Sequence, residues 1–409
     1  FGGATLLHNG RSDAVRRLLA PGQRTPAQNV ARRSRAQTAP AGQTGRIVRP
    51  NEPFVNVRKA VATPAQFGPG TFSVKKMLGK GSFGAVYLVT HKQTGEDFAM
   101  KVLTKRRVVE KNLTRYVQTE KNVLSYIRHP FIVSLRFAFQ TQSTLVLGLE
   151  YAPGGPLSRL ISKLVRIAEH LAKIYTAQMA LALDHLHSRL IFHRDMKPEN
   201  VVLDALGNAM LTDFGLSKES KANHASSFCG SPVYLAPEMV GRRGHGHTLD
   251  LWGLGVLTYE MLTGQPPFMG QDKETVFKRI RTDPPKLPAH LTGEAKDFII
   301  RVLCKDPGER LGATGTRGVL THEWFKGVDE EELMLKDKVV FDISKFAPAE
   351  RKKSDSSRDP FQDDYTVSSL PLKVDNWEYA DEGAVPPSAR NVVESLRARE
   401  ERVGYEVST

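Results

Sequence analysis

The stretch His193-Arg194-Asp195-Met196-Lys197-Pro198-Glu199-Asn200, followed by Leu211-Thr212-Asp213-Phe214-Gly215, decides how this chain is read. It gathers a carboxylate that can accept a proton (Asp195), a cation two residues on (Lys197), and two oxygen-bearing side chains, Asn200 and Asp213. Hard cations such as Mg2+ take ligands of that last kind. Phosphoryl transfer asks a protein for little covalent chemistry. It needs an acceptor for a hydroxyl proton, metal ligands and cations held on the moving group. Buried structural polar groups are the competing account, and the order and spacing of the whole set weigh against it.

Upstream, Gly79-Lys80-Gly81-Ser82-Phe83-Gly84-Ala85-Val86 is a GxGxxGxV loop. Its glycines let backbone N–H groups come close to phosphate oxygens. A dinucleotide-binding loop of this pattern runs into a helix, and a plain hairpin turn needs no ligand. Here the segment Ala85 to Thr90 reads as a strand, which favours a loop closing over a nucleotide. Phe98-Ala99-Met100-Lys101 ends an apolar strand on a lysine whose charge needs phosphates or a carboxylate. Glu120, in a helix expected from Lys111 to Ile127, is the candidate partner. Taken alone, Lys101 would read as an exposed surface lysine.

Short β-branched runs (Phe72 to Leu78, Ala85 to Thr90, Asp97 to Leu103, Ile132 to Phe139, Thr144 to Glu150) precede Gly154-Gly155. After it, apolar spacings of three and four predict helices over Ala168 to Ser188, Leu249 to Leu262 and Ala295 to Leu303. The expectation is an α+β fold of two lobes: an antiparallel sheet with one main helix, then a mostly helical lobe. The boundaries read as a basic segment 1–70, small lobe 71–150, large lobe 151–326 and tail 327–409. Ser388 to Arg402 reads as a polar helix.

Composition sets outer limits. With 40% apolar residues but no apolar run of eighteen, no membrane-spanning helix is expected. Two cysteines, Cys229 and Cys304, cannot form a disulfide framework, and a reducing, cytoplasmic setting with nuclear access left open follows. The opening Phe1-Gly2-Gly3 without Met reads as a piece of a longer chain. Residues 1 to 65 hold eleven Lys/Arg against two Asp/Glu. Such an arm can be a solvated tail or can touch nucleic acid or acidic lipid; the scarcity of aromatics favours the tail. Residues 1–20 resemble a piece of an ankyrin repeat, with an amphipathic or disordered stub as the other reading.

These motifs together resemble the protein kinase family over about Phe72 to Phe325. Ala236-Pro237-Glu238, Asp250-Leu251-Trp252-Gly253-Leu254-Gly255 and Arg310 fall where the family places its activation-segment end, its central helix and the arginine that pairs with Glu238. Lys197 and Gly230-Ser231-Pro232 are similar to Ser/Thr kinases rather than tyrosine kinases. His129-Pro130-Phe131-Ile132-Val133, Ser227-Phe228-Cys229, His322-Glu323-Trp324-Phe325 and the tail resemble the AGC group, which includes cyclic-nucleotide-dependent kinases, protein kinase C and S6 kinases.

The resemblance implies transfer of the γ-phosphoryl group of ATP to Ser or Thr of protein substrates, with ATP and Mg2+ as cofactors. Asp195, Lys197, Lys101 and Glu120 would be catalytic, and Asn200 and Asp213 would hold the metal. Leu78, Gly79, Lys80, Gly81, Ser82, Phe83, Gly84, Val86, Ala99, Lys101, Glu150, Ala152, Val202 and Thr212 would line the ATP site. Ser227 would be an activation-loop phosphosite served by an upstream kinase, with Arg194 and Lys218 gathering its phosphate, on a monomeric kinase domain.

In the tail, Phe361 with Asp363-Asp364-Tyr365 resembles the segment that crosses the nucleotide pocket. Val374-Asp375-Asn376-Trp377-Glu378-Tyr379 resembles the group's hydrophobic motif, with Glu378 at its phosphorylated position. Trp377 would then dock on the small lobe and hold the Glu120 helix inward; an exposed aromatic-acidic tail is the alternative. Pro156 stands where many relatives carry an acid, while Glu199 and Glu260 match two other acids of a basic-substrate subsite. A non-catalytic scaffold would be marked by loss of Asp195, Lys101 or Asp213, and none is lost.

Overall fold

The computed structural model describes residues 67–81, 84–215, 232–242, 246–346, 361 and 373–381, together with the backbone of 218 and 219. Residues 1–66 of the basic segment, Ser82, Phe83, Ser227, Asp363 to Tyr365 and the expected helix at 388–402 lie outside the described residues. Those described fall within one compact unit, Pro50–Thr409.

The chain opens with three antiparallel strands, β1 (Phe72–Lys80), β2 (Gly84–His91) and β3 (Asp97–Thr104). The helices α1 (Lys105–Glu110) and α2 (Thr114–Tyr126) follow, then strands β4 (Leu135–Gln140) and β5 (Thr144–Glu150). The helix expected over Lys111 to Ile127 is α2, which starts three residues later at Thr114. Asn112, left-handed at φ 53°, a conformation Asn tolerates, separates it from the short α1, which was not expected. The expected strand from Ile132 begins only at Leu135. Ile132 bridges Leu211 in parallel and Val133 N–H donates to Leu211 O at 3.0 Å, so this stretch is committed to the other lobe.

The large lobe carries β6 (Gly155–Pro156), α3 (Leu157–Leu164), α4 (Glu169–His187), β7 (Ile191–Phe192), β8 (Val201–Leu203), β9 (Ala209–Leu211) and β10 (Lys218–Glu219). It continues with α5 (Pro237–Val240), α6 (Thr248–Thr263), α7 (Lys273–Thr282), α8 (Gly293–Val302) and α9 (Glu330–Leu335). A final strand, β11 (Tyr379–Ala380), comes from the tail.

The small-lobe sheet runs β1-β2-β3-β5-β4-β11. Its register puts Val86, Lys101 and Leu147 side by side on one face, where Leu103, Leu145 and Leu147 pack with Val117 and Leu124 of α2. The other face is an aromatic cluster of Phe72, Phe98, Phe137 and Phe139, covered by Phe67 and by Phe361 from the tail. Phe361 thus lies on the face turned away from Lys101, rather than among the residues read as lining the nucleotide pocket. One sheet edge, β1, is interrupted by two register shifts and carries Lys75, Lys76 and Lys80, devices that discourage pairing with another chain. The opposite edge is covered by β11, through Tyr379 opposite Ala138 and Ala380 opposite Phe137.

The large lobe is built around α6, which is buried on nearly every side and apolar all round. Thr258 of α6 and Thr176 of α4 share a hydroxyl contact of 3.0 Å in this interior. Gly253 is needed there: a Cβ would sit 2.8 Å from Cβ of Met196 in the 193–200 loop. Arg310 spans Glu238 with two bonds of 2.8 and 3.0 Å and also donates to Thr248 O and Cys304 O. A fully buried pair of this kind mainly fixes geometry, since desolvation offsets much of its attraction. Among the described residues, no helix is long and apolar enough to cross a membrane.

Val165, closing α3, has φ 67° and ψ −43°. That is close to the strained mirror-image γ-turn and unfavourable for a β-branched residue. The turn is held because Gly264 packs on its carbonyl and Ile167 N–H donates to Met261 O at 2.7 Å. The Val165 side chain is 72% exposed, so little packing is lost if it is removed. Val165→Gly is expected to raise the unfolding free energy by about 1 kcal/mol. Denaturant titration checks this, and a loss of stability would contradict the strain.

Candidate active site

Lys101 meets carboxylates from two directions. Its Nζ lies 2.6 Å from Glu120 Oε1 on α2 and 3.4 Å from Asp213 Oδ1, two residues beyond β9. Burial opposes the ammonium charge, but the two carboxylates outweigh it and hold the lysine pKa above its ordinary value. The Lys101 charge in turn keeps the Asp213 carboxyl below the usual range, against its own burial. Burial pushes the Glu120 carboxyl up, as does Asp213, and the ammonium at 2.6 Å opposes both.

The β1–β2 turn is drawn tight by Gly81 N–H donating to Gly84 O at 2.9 Å. Gly84 cannot be replaced without moving β3, since a Cβ there would lie 1.9 Å from Val102 O. Leu78, Gly79, Lys80 and Gly81 are exposed, while Val86, Ala99, Glu150, Ala152, Val202 and Thr212 are half-buried. Half-buried apolar residues such as Val86, opposite Lys101 in the sheet, and Ala99 suit a cleft wall better than a core. Glu150 is engaged with Ser134 through both its N–H and its carboxylate.

Asp195 belongs to a second cluster. Its Oδ2 takes Lys197 Nζ at 2.5 Å and Asn200 Nδ2 at 2.8 Å. Asn200 Nδ2 also donates to Asp195 O at 2.8 Å. The amide nitrogen is therefore spent on Asp195, which leaves the Asn200 carbonyl oxygen as the atom able to face a cation. Asp195 Oδ1 is buried with no partner. The two clusters are joined where Thr212 N–H donates to Asn200 O and where the His193 ring lies 3.1 Å from Thr212 O.

Asp250, in the first turn of α6, organises the loop from below. Its oxygens accept the N–H of His193 (2.8 Å) and of Arg194 (2.7 Å) and contact His187 Nε2 at 2.8 Å. Burial alone would raise this carboxyl, but those contacts hold it below the usual range. Arg194 and Asp213 both adopt positive φ, 67° and 62°, so the backbone is strained at two points of the site. Sequence reading placed Asp250 only at a helix start; its bonds to the loop run between distant parts of the chain. Tyr234 was missed too: its hydroxyl donates to Glu260, while Glu199 is exposed and Pro156 pairs with Val202.

The tail reaches this machinery from behind. Trp377 is fully buried and its indole N–H donates to Phe139 O at 2.8 Å. Lys121, the residue after Glu120, donates to Asn376 O at 2.7 Å. Gln140 bonds Val374 through its backbone and Glu378 through its carboxylate. Arg128, just past α2, donates to the Tyr379 hydroxyl and pairs with Asp381 at 3.1 Å. Docking of Trp377 on the small lobe is what the structure shows, and Lys121 supplies a connection to α2 that sequence reading did not find. Trp377→Ala is expected to cost about 3 kcal/mol of stability and to speed amide exchange in α2. A melting midpoint equal to wild type would argue against docking.

Comparison with known proteins places this arrangement. The protein kinase domain model matches residues 72–325. The chain is 43% identical over 273 residues to serine/threonine-protein kinase AtPK1/AtPK6 of Arabidopsis thaliana, covering 66% of this chain and 58% of that protein. It is 42% identical over 275 residues to human ribosomal protein S6 kinase alpha-6, covering 66% and 37%. It is 35% identical over 333 residues to a RAC family serine/threonine-protein kinase homolog of Dictyostelium discoideum, covering 81% and 74%. The match spans a little over half the length of the Arabidopsis relatives, 58% and 57%. The chain belongs to the protein kinase family, and within it to the AGC group of serine/threonine kinases.

Proposed function

We propose that this chain transfers the γ-phosphoryl group of ATP to Ser or Thr hydroxyls of protein substrates. The observation that carries the reading is Asp195. One carboxylate oxygen is fixed by Lys197 and Asn200, and the other is buried and unpartnered. With Oδ2 committed to Lys197 and Asn200, Oδ1 is the oxygen left to accept from a substrate hydroxyl, which Asp195 would orient and whose proton it would take.

The donor set also fits Mg2+ and ATP. Among the described residues no group of three or more His, Cys, Asp or Glu could hold a metal by itself. Mg2+ is usually held by one or two protein carboxylates and shared with substrate phosphates; Asp213 and the Asn200 carbonyl would provide the protein oxygens. Bound Mg-ATP supplies the electrophilic phosphorus and its leaving group. Lys101, kept charged by Glu120, would hold phosphate oxygens, and the β1–β2 loop from Leu78 to Val86 would cover them, with Ala99, Glu150, Ala152, Val202 and Thr212 around the base and sugar. Lys197 would neutralise charge on the moving group.

The same reading extends to regulation and substrate choice. An upstream kinase would phosphorylate Ser227, adding about −1.5 to −2 charge for Arg194 and Lys218 to gather. With Pro156 in place of an acid, Glu199 and Glu260 would be the groups that select a basic residue before the acceptor. The division at 70, 150 and 326, a monomeric state and a cytoplasmic setting complete the proposal.

Incubated with ATP and a degenerate peptide library, wild-type protein is expected to label Ser/Thr peptides enriched in Arg before the acceptor. Asp195→Asn should lower the rate by about a thousandfold. No transfer by wild type, even with Ser227 phosphorylated, would favour the scaffold reading, and labelling without Arg enrichment would remove the role given to Glu199 and Glu260. Ser227→Ala should lower turnover strongly and Ser227→Glu should restore part of it. Equal turnover of phosphorylated and unphosphorylated protein would refute that regulation.

A further inference from the structure

Lys336 lies beyond the stretch matched by the kinase domain model, at the end of α9, in a left-handed conformation of φ 52° and ψ 36°. Its ammonium reaches three elements. It donates to Pro130 O at 3.0 Å, lies 2.8 Å from Asp204 Oδ2, and is 3.5 Å from Met210 Sδ. Pro130 is in the loop between α2 and β4, Asp204 follows β8, and Met210 is in β9. Lys336 and Asp204 are only 20% and 14% exposed, so solvent screens this pair less than an ordinary surface salt bridge.

Asp204 is prepared for the contact. Its Oδ1 accepts the N–H groups of Leu206 (2.9 Å) and Asn208 (2.8 Å), fixing the β8–β9 turn, while Oδ2 faces Lys336 and also accepts from the Asn208 side-chain amide at 3.1 Å. The loop that Lys336 grasps is the joint between the lobes. Leu211 N–H donates to Phe131 O at 2.9 Å and Val133 N–H donates to Leu211 O at 3.0 Å. Backward from this joint the chain leads into α2 and Glu120; forward from Leu211 it reaches Asp213 within two residues. The joint therefore sets the gap between the two carboxylates that share Lys101.

The loop has a weaker contact beside it. The His129 and His185 rings lie 4.9 Å apart, and His185 Nε2 is buried without a partner. Burial, together with the charges of His185, Arg189 and Lys336, pushes His129 down to about 4, so the ring is uncharged near neutral pH. The hydrogen bond to Pro130 and the ion pair to Asp204 thus come from one tail residue.

We propose that Lys336 is a positioning residue: it staples the α2–β4 loop to the β8–β9 turn and so fixes the Glu120–Asp213 gap in which Lys101 sits. Its effect on turnover rests on the kinase reading above; its effect on the joint does not. The test uses the full chain and measures amide exchange at Val133 and Leu211 alongside peptide phosphorylation. In Lys336→Met both amides should exchange about tenfold faster, with kcat reduced several-fold and the peptide KM within about twofold of wild type. Lys336→Arg, which can still donate to both oxygens, should restore protection and kcat.

Exchange in Lys336→Met as slow as in wild type overturns the staple. If that variant does not fold, Asp204→Asn, which keeps an oxygen for the turn but removes the ion pair, takes its place, and unchanged exchange there overturns it equally. Faster exchange with unchanged kcat overturns the positioning role. Should wild type transfer no phosphate, the exchange result still decides the staple, and the loss falls on the kinase reading. Ending the chain at Lys373 removes Trp377 and spares Lys336, which separates the two contributions of the tail.

Discussion

A partly buried ammonium must find carboxylates, and in this molecule it finds them on two different bodies. Lys101 stands on a strand of the sheet, Glu120 on the helix behind it, and Asp213 on the segment that leaves β9 in the other lobe. The three charges are compensated only when sheet, helix and large lobe are brought together correctly. Much of the remaining architecture follows from that condition. The α2–β4 loop docks on β9 rather than joining the sheet, and the tail presses on α2 from outside.

The acceptor side obeys a different logic. Asp195 is held through its neighbours in the loop, and the loop through Asp250, whose carboxylate takes two backbone N–H groups and a histidine. The first turn of a helix favours an anion, and α6 provides that environment inside the apolar interior. Backbone strain at Arg194 is therefore supported by a deeply buried helix, consistent with strain persisting only where the surroundings over-determine it.

The proposed catalytic set was legible because its members are close in sequence and chemically distinctive. Asp195, Lys197 and Asn200 fall within one loop, and their types state their chemistry. The strands before Gly154 and the helices after it were legible from periodicity, to within a few residues at most ends. What was illegible was the choice of partner. Ile132 and Val133 have the apolar character of a sheet strand, yet their backbone groups go to Leu211. Nothing local in Phe361 says which face of the sheet it covers, and nothing in Asp250 says that two distant amides will point at it. Lys121 and Lys336 look like ordinary surface lysines until the tail or the loop they touch is in place.

The strand β11 joins the sheet beside β4 although most of the chain separates the two. During synthesis, β1 to β5 leave the ribosome long before Tyr379 exists, and until it does the backbone of Phe137 and Ala138 is an open edge. An unpaired edge of this kind is a template for other strands. The small-lobe sheet is thus completed by a strand that emerges long after the rest of it, and a polypeptide interrupted before Tyr379 would carry Lys101, Glu120 and Asp213 on an unfinished sheet.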